Sequence, residues 1–83
     1  MTDSFIHSRV AQLTLKLASL TPSLERAQQS VRRLEAEQVP AGAIAGARAA
    51  QLSAARAMVA TLEERARQVR IAINALHAEL AEA

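Results

Sequence analysis

The stretch LASLTPSLERA, Leu17–Ala27, places a proline inside what otherwise reads as one long helix. If Pro22 ends that helix, Thr21 can cap a new one with Pro22 at its first position, and both residues are favoured there. The chain would then be a three-helix bundle. If the helix continues, Pro22 costs one backbone hydrogen bond and about 3 kcal/mol, and the chain is a two-helix hairpin. The flanking residues favour continuity. Leucine, valine, isoleucine and alanine at Ile6, Val10, Leu13, Leu17, Leu20, Leu24, Ala27, Val31 and Leu34 step by alternating fours and threes. That heptad rhythm crosses the proline without a shift of phase, whereas a true break normally inserts or deletes residues. Pro22 falls on the outward side, so the expectation is one helix over 4–38 with a kink near Pro22.

A second seam runs through Leu52, Ala55, Val59, Leu62, Ala66, Val69, Ile73, Leu76 and Leu80 in the same rhythm. No segment alternates with the period of two that a strand requires. Between the seams lies VPAGAIAGA, Val39–Ala47, whose proline and two glycines predict a loop over 39–46, followed by a helix over 46–81. The fold class is therefore all-α: a two-helix antiparallel coiled-coil hairpin forming a single domain over 1–83, because helices joined by a short loop run antiparallel.

The register follows from matching apolar layers. Leu34 is expected opposite Leu52, Val31 opposite Ala55, Ala27 opposite Val59 and Leu24 opposite Leu62, and so on to Ile6 opposite Leu80. A slip of one heptad strands Leu76 and Leu80 without partners. The chosen register also centres the turn on the Gly/Ala segment and sets large side chains against small ones. The expected object is a rod about 50 Å long at ~1.5 Å per residue.

Composition narrows the function classes. The chain has 83 residues, of which 51% are hydrophobic, but alanine dominates that share and Phe5 is the single aromatic. Alanine contributes helix propensity more than core volume, so walls for an enclosed active site are scarce. Net charge is +2, too small for a dedicated nucleic-acid binder to be the default. Without cysteine there is no disulfide framework, thiolate nucleophile or Cys-ligated zinc. The N-terminal MTDSFIHSRV lacks the basic and apolar regions of a leader, and the longest uncharged run, Gln38–Ala47, is too short to span a bilayer. These features lead to the expectation of a cytoplasmic protein with no cofactor and no small-molecule substrate. No serine, threonine or glycine-rich motif has the context catalysis needs, so no enzyme is expected.

What the seams leave outside is more informative. Leu15 and Ile71 fall on outward positions at one level of the rod. Ala11, Leu15 and Ala18 make one short stripe, while Ile71, Ala75 and Ala78 make another. Nearer the loop, Ala43, Ala47, Ala50, Ala54 and Ala57 repeat at helical spacing beside Met58. A plain alanine-rich helix from a GC-rich coding region accounts for the alanines, but not for two branched residues facing outward. The candidate interaction residues are therefore Leu15, Ile71, Ala75, Ala50, Ala54 and Met58. They suit a homo-oligomeric four-helix bundle or a partner's amphipathic helix.

Arginines on the outer faces, chiefly Arg26, Arg33, Arg67 and Arg70, are the candidate nucleic-acid contacts. Interleaved acids and the lack of stacking aromatics make nucleic acid the second reading. His7 and His77 meet at the open end near Asp3 and Glu79, where a solvated polar flank is favoured over a metal site. Arg9–Glu79 and Glu35–Arg56 are expected to pair across the helices.

In general shape the hairpin resembles the two-helix co-chaperones of bacterial secretion systems and the small hairpin regulators of plasmids and phages, and no motif ties it to either. The resulting expectation is a non-enzymatic coiled-coil interaction module: an assembly factor, adaptor or small co-chaperone such as those of bacterial secretion systems, self-associating. The alternative is a nucleic-acid-binding hairpin dimer.

Overall fold

A computed structural model describes residues 2–37 and 43–82. Every described residue except Glu37 lies in one of two helices, α1 over Thr2–Ala36 and α2 over Ala43–Glu82. The two pack along their length into a rod of 63 × 16 × 14 Å. It is longer than the expected 50 Å because α2 alone runs 40 residues.

Pro22 sits inside α1, and the helix is unbroken across it. The side chain of Thr21 shows why a capped restart does not form. Its hydroxyl donates backwards to the Leu17 carbonyl at 3.1 Å, whereas an N-cap side chain accepts from amides ahead of it. Ser19 likewise donates to the Lys16 carbonyl at 3.0 Å. These bonds add donors in the turn beneath the proline, where Pro22 has no N–H to offer the Ala18 carbonyl. Pro22 itself is exposed, so its ring takes no space from the seam.

The helix ends differ from the sequence expectation by a few residues. α1 begins at Thr2 rather than residue 4, with Asp3 in its first turn, where a carboxylate favours the helix dipole. It ends at Ala36 rather than 38, and the Glu37 amide closes the last turn on the Arg33 carbonyl at 3.1 Å. The larger correction is at α2. The predicted loop over 39–46 extends too far, since residues 43–46 are helical. Alanines at 43, 45 and 47 outweigh the ~1 kcal/mol that one glycine costs a helix interior, and a Cβ at Gly46 would meet nothing within 4 Å. The rest of the predicted loop, 39–42, lies outside the described residues.

The seams are the interior. Each seam position is buried or half-buried, with Ile6, Leu13, Ala27, Ala66 and Val69 the most enclosed. The facing residues descend in α1 as they rise in α2, so the helices run antiparallel. Leu34 and Leu52, expected opposite each other, line one groove, while Ala27 and Leu20 share theirs with Leu62 and Val69, each three residues on from the expected Val59 and Ala66. Toward the loop the seam continues through Ala45 and Arg48, both half-buried, and Arg48 pairs there with Glu37.

Candidate functional site

Two different surfaces remain once the seam is closed: the outward sides of the helices and the two grooves that flank the seam. The outward sides carry Leu15, 71% exposed, and Ile71, 54% exposed. The structure does not bring these two together, because each projects from the side of its own helix that faces away from the other. Ala75 and Ala50 are also exposed on α2. Phe5, 70% exposed, joins this set. Sequence reading noted it only as the single aromatic; its place one residue before the buried Ile6 is the signal that turns it outward.

The grooves gather residues that the sequence reading had assigned to separate hypotheses. On one flank, Ala54 and Met58 of α2 line a groove with Ser23, Arg26 and Ser30 of α1 and with Arg65. Met58 is 60% exposed at its edge. This groove runs into a second through the shared Arg65, where Lys16, Leu20, Gln68 and Ala72 form the walls. It meets a third through Arg26 and Ser30, lined also by Gln29 and Arg33. The first two make one trough between the helices, and the third, lined by α1 alone, widens it beside Arg33. Its floor is low because Ser23, Ala27, Ser30, Ala54 and Ala57 are small. The signal was present in the sequence as seven-residue repeats, Lys16–Ser23–Ser30 and Met58–Arg65–Ala72, which put cations and small residues on one side of the seam.

The opposite flank is built from Gln28, Val31, Arg32, Arg56 and Val59, and nearer the loop from Glu35, Glu37 and Arg48. Here two of the three lining arginines meet acids. Arg56 reaches Glu35 at 3.4 Å, and Arg48 pairs with Glu37. The expected Glu35–Arg56 pair is thus present. The expected Arg9–Glu79 pair is not among the ion pairs of the described residues, because Arg9 donates within its own helix to Gln12 Oε1 at 3.4 Å.

Among the described residues the third ion pair is Arg67 with Glu64, within α2. Glu64 also accepts from Gln68 Nε2 at 2.8 Å. Those two hydrogen bonds, first Gln68 and then Arg67, hold the Glu64 carboxyl below its ordinary range. Arg67 is thereby occupied, while Arg70 stands exposed on the same helix. The four arginines proposed from the sequence do not form one patch. Arg26 and Arg33 line the trough, and Arg67 is engaged with Glu64.

His7 and His77 are both exposed, and among the described residues no three His, Cys, Asp or Glu side chains gather as a metal would need. Among the same residues no helix is long and apolar enough to cross a membrane. Comparison with protein-family models, with curated proteins and with solved structures gives no match.

Proposed function

We propose that this chain is a non-enzymatic protein-interaction module, an antiparallel coiled-coil hairpin of the adaptor, assembly-factor or co-chaperone kind that also associates with itself. The observation that carries the reading is the exposure of Phe5, Leu15, Met58 and Ile71 on a molecule whose seam residues are all at least half-buried. A hairpin that encloses only a narrow stripe on each helix has little core to spare. Large apolar side chains left outside such a fold are most useful where a second helix covers them. Alanine at Ala50, Ala54 and Ala75 lets that helix approach closely.

The test is a double substitution on the outward sides. Leu15→Glu with Ile71→Glu should leave helix content unchanged by circular dichroism, since neither residue belongs to the seam. Each buried branched side chain contributes roughly 1.5–3 kcal/mol to an association. Losing two and adding charge should lower the mass by light scattering or abolish partner capture. Unchanged mass together with unchanged capture would sink the reading. A second reading, nucleic-acid binding, is favoured by the cations Arg26 and Arg33 beside one groove, and a steep salt dependence of binding to duplex DNA or RNA would support it.

A further inference from the structure

We infer that the trough between the helices is a docking site for an acidic amphipathic helix, an inference that rests on the interaction-module reading and names its partner class. The argument starts from charge. Lys16, Arg26, Arg33 and Arg65 line the trough. Among the described residues none of the four takes part in an ion pair. Arg26 has a neutral neighbour instead, donating to Ser23 Oγ at 3.4 Å. The acid on the rim, Glu64, is already engaged by Gln68 and Arg67. Eight acids and ten cations nearly balance over the whole chain, so this one-sided arrangement is a property of the flank and not of the composition.

Shape and polarity then choose among possible occupants. The trough extends from Lys16 to Arg33, about 25 Å at ~1.5 Å per residue, enough for a helix of some five turns. Its floor combines Ala27, Ala54, Ala57 and Leu62 with Met58 at the edge. Small residues admit a helix closely, and methionine adapts to varied apolar side chains. A second copy of this chain docking the same flank would set these cations against one another. A nucleic-acid backbone would meet the cations but would gain nothing from an apolar floor without aromatics to stack on. A helix with leucines on one side and glutamates flanking them satisfies both features, with charge setting orientation and the rate of encounter.

The probe is a fluorescein-labelled peptide of about 18 residues, leucines at every third and fourth position and glutamates beside them, matched in length to the trough. Anisotropy titrations with the full chain should show binding that weakens as salt rises. The same peptide with lysine in place of glutamate should not bind. Arg26→Glu with Arg65→Glu should weaken binding at least about tenfold, while Arg56→Glu on the opposite flank should change it by less than about twofold. Arg26→Gln with Arg65→Gln provides the milder variant should the reversal disturb folding by circular dichroism. Amide shifts on titration should concentrate at Ser23, Ser30, Met58 and Thr61. Equal binding of the acidic and basic peptides, no binding of either, or shifts centred on Leu15 or Ile71 would overturn the inference. So would tighter binding of a duplex of about 20 base pairs, lost on the same reversals. If the peptide fails while Leu15→Glu with Ile71→Glu still lowers the mass, the trough assignment falls and the interaction module stands.

Discussion

On one flank of the seam Arg56 reaches Glu35 at 3.4 Å and Arg48 pairs with Glu37. On the other, Lys16, Arg26, Arg33 and Arg65 line a continuous trough and, among the described residues, pair with no acid. Both flanks are bounded by the same two helices and the same seam, so backbone geometry does not separate them. The difference lies in which side chains fall one place before or after a seam residue. On the paired flank, two of the three lining arginines, Arg48 and Arg56, meet acids across the groove. On the trough flank, small residues and cations without an acid partner among the described residues line the groove.

The comparison depends on the seam that carries both flanks, so the largest effect should come from breaking it. Leu13→Ala removes one of the most enclosed side chains of a thin seam and should cost about 2–4 kcal/mol. Leu15→Ala, two residues on and exposed, should cost under about 0.5 kcal/mol. Thermal melts of the two variants measure the difference. Comparable losses would mean the inward and outward sides have been assigned wrongly.

The next effect concerns the rigidity of the trough wall. Pro22 lies in the turn before Ser23 and Arg26, and replacing it with alanine should stabilise α1 by roughly 1–3 kcal/mol. A neutral or destabilising result in a denaturant titration would point to a helix that restarts at Pro22. Smaller again is the direct contrast of the flanks. Arg56→Glu loses an exposed ion pair and sets two acids together, costing up to about 1 kcal/mol. Arg26→Glu loses none and should be within about 0.5 kcal/mol of the parent. Equal costs would remove the distinction between a paired and an unpaired side.

The smallest expected effect is at Glu64 on the trough rim. Its carboxyl is held below the ordinary value by Gln68 and Arg67. A depressed folded pKa contributes stability that is present above the unfolded value, about 4.3 for glutamate, and is lost as pH falls through the folded one. The melting temperature should therefore exceed that of Glu64→Gln at neutral pH and converge with it on acidification below about pH 4. A gap that persists in acid would show that the carboxylate's bonds are not its source.

Much of the architecture was legible before any coordinates. The 4–3 rhythm through Ile6 to Leu34 and Leu52 to Leu80 is a geometric consequence of helical pitch, and it marked the buried positions, the two-helix hairpin and the passage of α1 through Pro22. Leu15 and Ile71 were readable as outward residues for the same reason. α2 starts earlier than its proline and glycines predict, because the alanines around Gly46 carry the helix across it. Periodicity assigns a side chain to a face, but it does not say which neighbour that side chain chooses. Arg9 was expected to reach Glu79 and bonds Gln12 instead, since competing surface contacts differ by less than ~1 kcal/mol and rotamers select among them. The trough, likewise, exists only where two helices bring Ser23, Arg26, Ala54, Met58 and Arg65 to one level. The sequence by itself determined the class and the seam, because burial of apolar area follows a fixed repeat. Only the packed pair of helices decided which cations would be neutralised and which left facing an open groove, because that choice is made across the interface by interactions too weak and too mutually dependent for a linear pattern to encode.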